Sequence, residues 1–397
     1  MHSVYDLFIS DVFQDHTNVW TLGKSPINLT ELQIMLLNYR DRDIAATLYE
    51  GFLYGFKIHY SGPRTAVDSK NLKSVFQHPS LVLEKVQSEI ELGRIAGPFH
   101  NRPISNLRCS LIGLVPKKTG GFRLIAHLSH PSFESVYSYI DSEFSLVKYS
   151  TFDHAISLIQ RLGKGALIGK KDLKSAFRLL PVYPGCFDLL GFKLEGNSYI
   201  DKMMPMGCSE SCSYFERFSI FIEWVVRNEA NSYNIKHYLD DFLFAGEGNT
   251  DVCNRLMNNF SLVCDRLNVP IANEKSVGPT TVLEYLGLTI DTVNMLVKIP
   301  DDKILELKEK MSFVLKSKKA ILKVLQSLAG SLAFCTRAFL SGRVFSGRIY
   351  NAMSNVKNSY HFIRVSKNLK ADLLVWSQFL ENIQWYFLYS GQKLDIK

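Results

Sequence analysis

Two aspartates stand side by side, Asp240 and Asp241, between two short apolar runs. Before them Ile235, His237 and Leu239 alternate with Lys236 and Tyr238; after them come Phe242, Leu243, Phe244 and Ala245, closed by Gly246. This pattern predicts a β-hairpin with the acidic pair at its turn. A third carboxylate sits in a similar setting. Ala166-Leu167-Ile168-Gly169 reads as a strand and leads through Lys170 and Lys171 to Asp172. An adjacent acidic pair in a loop is usually solvated, but this one lies between apolar strands. Burial there is costly unless a cation compensates the charge.

Three carboxylates at strand ends, far apart in sequence, suit a divalent-metal site. Magnesium takes a few carboxylates and fills its remaining positions with water and substrate phosphates. Two such ions, roughly 3.5–4 Å apart, can clamp the attacking and leaving oxygens of a phosphoryl transfer.

The chain has 397 residues, 46% hydrophobic and 21% charged, enough for a large core and two or three domains. Its net charge of +8 is a weak pointer to nucleic acid, and the placement of the lysines says more. None of the seven cysteines forms a CxxC pair, and Cys208 and Cys212 have no histidine cluster beside them. Reduced intracellular thiols are expected, and no zinc site. Asp6, Asp11 and Asp15 interrupt any apolar run after Met1, so no signal peptide is expected. The most apolar stretch, residues 218–226, is broken by Ser219 and Glu223 and is too short for a bilayer. The expectation is a soluble intracellular protein with no membrane partner, in cytoplasm or nucleus alike.

Residues 1–85 read as mostly helical, with Leu32, Leu36, Leu37, Ile44, Leu48 and Phe52 at helical spacing after the capping-type residues Asn28 and Thr30. Ser61-Gly62-Pro63-Arg64 reads as a linker, and Val82 to Leu92 as a helix ended by Gly93. Leu111 to Ile125 places two apolar runs around Lys117-Lys118-Thr119-Gly120-Gly121, a hairpin with a basic tip. A helix is expected from about Phe152 to Leu162, and a buried helix face from Phe215, Phe218, Ile222, Val225 and Val226. Val282 to Ile290 reads as a strand pair around Gly287. After Pro300 two helical stripes follow, Ile304-Leu307-Met311-Leu315 and Leu325-Leu328-Leu332. The lysines from Lys303 to Lys323 read either as a solvated face or as a surface that tracks a nucleic-acid backbone. There is no Walker A sequence and no GxGxxG, so ATP hydrolysis and dinucleotide binding have no support.

The order of these segments resembles the reverse transcriptase family. Lys171 to Arg178 is similar to its motif A, Met204 to Ser209 to motif B, Tyr238 to Asp241 to motif C, Asn273-Glu274-Lys275 to motif D, and Leu283 to Gly287 to motif E. The basic hairpin resembles the fingertips that hold a triphosphate. The resemblance covers roughly residues 92–290. Phe122 to Pro131, Leu190 to Lys193, and Val277-Gly278-Pro279 most resemble the DIRS-type, tyrosine-recombinase-encoding retrotransposons.

The resemblance implies an α+β right-hand polymerase with an antiparallel palm sheet, fingers and a helical thumb. Its ranges would be a helical N-terminal segment (1–85), fingers (86–165), a palm with primer grip (166–295) and a thumb or connection (296–397). It implies RNA-directed DNA synthesis from deoxynucleoside triphosphates on a primed RNA or DNA template. Asp172, Asp240 and Asp241 would hold two Mg2+ ions, or Mn2+, and Lys275 would protonate the leaving pyrophosphate. Lys117, Lys118, Arg123, the Leu173 backbone, Phe177, Met206 and Gly207 would bind the nucleotide, with Phe177 as a steric gate under the sugar. Tyr285, Leu286 and Gly287 would form the primer grip. Met206 stands where many retroviral relatives carry Gln, and Cys212 where they carry Pro. An RNase H and a recombinase would be encoded elsewhere in the element. The alternatives are an RNA-dependent RNA polymerase, or an inactive polymerase-like module that binds nucleic acid.

Overall fold

In the computed structural model, residues 19–117, 120–338, 340–381 and 386–387 are described. Lys118 of the basic hairpin lies outside them, as do the readings placed on residues 1–18. In chain order the longer helices are α1 (Leu29–Leu36), α2 (Arg42–Tyr54), α3 (Pro79–Glu91), α4 (Phe152–Leu162), α5 (Ser209–Ala230), α6 (Val252–Leu267), α7 (Asp301–Lys316), α8 (Leu322–Cys335) and α9 (Lys367–Glu381). The strands used below are β1 (Val67–Asp68), β2 (Ile95–Phe99), β3 (Arg108–Cys109), β4 (Ile112–Pro116), β5 (Phe122–Ala126), β6 (Leu167–Asp172), β7 (Gly191–Leu194), β8 (Asn197–Asp201), β9 (Ile235–Tyr238), β10 (Asp241–Gly246), β11 (Val277–Thr280), β12 (Val282–Tyr285), β13 (Leu288–Asp291) and β14 (Leu296–Lys298).

The chain divides into two compact units: residues 1–150, 171–242 and 256–275 in the first, and 151–170, 243–255 and 276–397 in the second. In the first unit a mixed sheet runs β1-β3-β7-β8-β2, parallel across β1, β3 and β7 and antiparallel across β7, β8 and β2. The hairpin β4–β5 is antiparallel, with Pro116 opposite Phe122 and the Lys117 N–H donating to the Gly121 carbonyl at 2.9 Å. Gly120 and Gly121 take φ +87° and +75°, conformations that cost a side-chain-bearing residue free energy. Helix α5 buries Phe215, Phe218, Phe221 and Ile222 completely. The segment expected to be a linker is instead tied down. The Ser61 N–H donates to the Tyr139 carbonyl, and Arg64 pairs with Asp188 at 2.6 Å. Polar and breaker residues predict a turn but do not reveal partners more than 70 positions away in sequence.

In the second unit β6 pairs antiparallel with β11, and β12, β13 and β14 form an antiparallel meander. Helix α4 covers the predicted residues, ended by Gly163 at φ +82°. On α7 the buried stripe is Ile304, Leu307, Met311 and Val314; Leu315, expected in that stripe, is only partly buried. Leu325, Leu328 and Leu332 of α8 are fully buried. The region after Pro300 also contains short strands, Lys319–Ile321 and Phe362–Arg364, which a helix-only reading did not foresee. Their three-residue length carries too little alternation to be recognised in sequence.

Candidate active site

Strand β6 ends on Asp172, and the β9–β10 hairpin turns through Leu239 and Asp240 before Asp241 opens β10. The two segments are locked together in the first unit by one backbone hydrogen bond, Leu173 N–H to the Asp240 carbonyl, 3.0 Å. The Asp172 carbonyl accepts from the Ala272 N–H at 2.8 Å, which anchors the segment carrying Lys275. Lys275 Nζ donates to both Asp172 carboxylate oxygens, at 3.0 and 2.9 Å. Three stretches distant in sequence therefore converge on one place.

The electrostatics follow from that geometry. Burial first, and then the negative charge of Asp172, raise the Asp240 carboxyl above its ordinary value, against opposing pulls from Lys275 and Arg123. Burial opposes the charge on Lys275. The hydrogen bond to Asp172 and the field of Asp172, Asp240 and Asp241 outweigh it, so Lys275 holds its proton more tightly than a free lysine. The site thus concentrates negative charge that Lys275 and Arg123 partly offset.

These groups border a cavity of about 860 Å³ in the first unit. Lys117 and Arg123 reach it from the β4–β5 hairpin, Lys174 from the turn after Asp172, and Lys275 from the opposite segment. Lys117, Arg123 and Lys174 beside Asp172 and Asp240 could receive a polyanion together with a divalent cation. Met206 lines the cavity as well. Gly207, next to it, has φ +109°, and a Cβ there would lie 2.3 Å from the Ala126 carbonyl oxygen, so no larger residue fits.

Leu173 and Phe177 take placements that the sequence left open. Leu173, whose backbone was expected to bind the nucleotide, does line the cavity, but its N–H is already given to the Asp240 carbonyl. Phe177 is not among the residues bordering the cavity, although its neighbours Ala176 and Arg178 are. Its ring packs edge-on against Phe215, centroids 5.9 Å apart. Tyr285, Leu286 and Gly287 lie in the second unit. There Leu286 and Gly287 form a two-residue turn with φ +47° and +80°, and Tyr285 pairs with Leu288. Positive φ at both central positions is what the twist of a tight hairpin requires.

Sequence reading missed a buried ionic cluster behind the acidic turn. Glu216 and Glu223 of α5 both bind the ring of His237 on β9. Arg227 pairs with Glu223 and donates to the Ile235 carbonyl at 3.3 Å. Burial works against the His237 charge, but the hydrogen bonds it donates to Glu216 and Glu223 raise its pKa to about 9. Two glutamates seven apart on an otherwise apolar helix face were the available signal. Also missed was Arg178, which holds both Asp201 oxygens at 2.7 Å and also pairs with Glu89.

The donor chemistry suits a hard divalent cation, since the acids offer only oxygen and Asp240 is strained by its neighbour's charge. Among the described residues, no three His, Cys, Asp or Glu side chains are already gathered into a metal cage. All seven cysteines are free thiols. No helix among the described residues is long and apolar enough to cross a membrane.

Residues 115–290 match the family described as "Reverse transcriptase (RNA-dependent DNA polymerase)". The genome polyprotein of Petunia vein clearing virus is 26% identical over 133 residues, 34% of this chain and 6% of the polyprotein. Among solved structures, the dRH form of the foamy viral protease-reverse transcriptase in complex with double-stranded DNA superposes with a TM-score of 0.61 at 15% identity, over 82% of this chain and 52% of that one. The same foamy viral protein in complex with an RNA/DNA hybrid gives 0.59 at 16% identity, over 91% of this chain and 47% of that one. At these identities the structural likeness is one of fold.

Proposed function

We propose that this chain, which carries a reverse transcriptase domain over residues 115–290 on an α+β right-hand polymerase fold, is an RNA-directed DNA polymerase. The observation that carries the reading is the convergence of Asp172, Asp240 and Lys275 on a cavity lined by Lys117, Arg123 and Lys174. The substrate is a deoxynucleoside triphosphate, and the partner is a primed RNA or DNA template. In this reading residues 86–165 act as fingers, 166–295 as palm and 296–397 as thumb.

Asp172, Asp240 and Asp241 would hold the divalent ions, which when bound offset the charge that develops on the phosphate oxygens. The remaining work belongs to the chain's own residues. Lys117 and Arg123 draw in and orient the triphosphate from the hairpin, with Arg123 suited to a bidentate contact. Lys174 adds a third cation at the end of β6. Lys275, which keeps its proton because three carboxylates surround it, is placed to donate that proton to the leaving pyrophosphate. The Leu239–Asp240 turn, tied to Leu173, fixes the spacing of the two strands that bear the acids. Catalysis is then mostly positioning and charge neutralisation. Tyr285, Leu286 and Gly287 would hold the primer end. The Phe122-to-Pro131 and Leu190-to-Lys193 segments support kinship with the DIRS-type elements, whose RNase H and recombinase would lie outside the reverse transcriptase.

Extension of a labelled primer on RNA and DNA templates, with magnesium, tests the reading. Asp240→Asn is expected to lower the extension rate by about 10²-fold or more, the scale of one lost preorganised contact. Near-normal extension by that variant overturns the assignment of Asp240, and no extension by the wild type on either template overturns the polymerase reading.

A further inference from the structure

The hairpin that carries Asp240 places a leucine where a glycine is favoured. Leu239 has φ +52° in a two-residue turn, one residue before the acid. Something must hold it there, because a leucine left to itself leaves that region readily. The Leu239 N–H donates to Glu216 Oε2 at 3.3 Å, while Glu216 Oε1 meets His237 Nε2 at 3.2 Å. The other His237 nitrogen is bonded to Glu223, which pairs with Arg227, which in turn reaches the Ile235 carbonyl. Glu216, Glu223 and Arg227 fall at i, i+7 and i+11 on α5, so one helix face grips β9 from its first residue to the turn that follows it.

We propose that Glu216 is a positioning residue, which holds the Leu239 amide and so fixes the turn that aims the Asp240 carboxylate into the cavity. The proposal rests on the polymerase reading for its kinetic consequence. Three features separate this contact from ordinary packing. Glu216 is buried, with its side chain 4% exposed, and its two oxygens are divided between the turn and the ring. His237 turns its two nitrogens to two different glutamates, so the ring cannot flip without breaking both contacts. The cluster sets the Glu216 and Glu223 carboxyl groups against the His237 ring and the Arg227 guanidinium, so both Glu216 oxygens are engaged as acceptors by fixed partners. The carboxylate is therefore fixed before any substrate arrives, which is what preorganisation of a catalytic turn requires.

Three variants of the full chain test this: Glu216→Ala, Glu216→Gln and Glu223→Gln. The readouts are single-turnover incorporation, primer–template affinity, thermal midpoint, and hydrogen exchange of the Leu239 amide. Glu216→Ala is expected to expose the Leu239 amide to exchange and to slow incorporation by about 10–10²-fold, the cost of a small misplacement, with primer–template affinity unchanged. Glu216→Gln keeps a carbonyl acceptor for Leu239 and should preserve most of both. Glu223→Gln weakens the same cluster without touching the turn, so it should lower the thermal midpoint while leaving incorporation and Leu239 protection in place. Equal loss of rate in Glu216→Ala and Glu223→Gln, or a protected Leu239 amide in Glu216→Ala, overturns the proposal. If Glu216→Ala does not fold, His237→Gln releases one side of Glu216 and should speed Leu239 exchange by a smaller factor; unchanged exchange overturns the proposal. Should the wild type prove inactive, the polymerase reading fails by itself, and Leu239 exchange still decides whether Glu216 holds the turn.

Discussion

Phe177 has two readings that a single substitution separates. The resemblance sets its ring beneath the incoming sugar, five residues past Asp172, while the structure packs it edge-on against Phe215. The residue is partly exposed. Phe177→Val is expected to lose most discrimination against ribonucleotides, read as the ratio of kcat/KM for deoxy- and ribonucleoside triphosphates. A clash of a few kcal/mol corresponds to roughly 10²-fold at about 1.4 kcal/mol per decade. Retained selectivity with a lowered thermal midpoint would make Phe177 a packing residue. The acids themselves were legible as residues, because adjacent aspartates between apolar runs are rare without a compensating cation. The glutamates of α5 were not, because a charged residue on a helix reads as solvated until the facing strand is known.

At the scale of elements, the β12–β13 turn is contacted by the partly buried Lys303, and the β9–α5 contact by His237 and Arg227. In the second unit Lys303 Nζ donates to the Gly287 carbonyl at 2.5 Å and lies 4.7 Å from the centre of the Phe334 ring. The lysine-rich helix is thus not uniformly a solvated face. Lys303→Met is expected to cost about 1–3 kcal/mol, the worth of a charged hydrogen bond left unmade. Chemical denaturation measures it, and a change within error would show that Lys303 only rests on the turn. His237 makes the second prediction. Its pKa is raised from 6.5 to about 9 in the folded chain. The stability it adds is fully present below pH 6.5 and is lost as pH rises through 9. The gap in unfolding free energy between wild type and His237→Gln should therefore narrow across that window. A gap independent of pH would refute the charged state of the ring.

For the whole molecule, the +8 net charge gives a test that needs no substitution. Affinity for primer–template should fall steeply with salt, with a log–log slope of about 0.7–0.9 per neutralised phosphate. An affinity unchanged between low and physiological ionic strength would contradict a backbone-tracking surface. The region of unassigned role at the amino end is built into the first unit. The Asn28 N–H donates to the Leu267 carbonyl, and Phe56 exchanges hydrogen bonds with Pro181 and Tyr183. Sequence alone determined the acidic hairpin, the strand ending on Asp172, the glycine turns and the helix Phe152–Leu162, because each is written in a local pattern of period, breaker or charge. Only tertiary structure decided that Lys275 sits on Asp172, that Leu173 is tied to Asp240, that Phe177 turns toward Phe215 and that Glu216 accepts from the Leu239 amide. Each of those depends on which segments meet across dozens of residues, and no local pattern encodes the register in which they do.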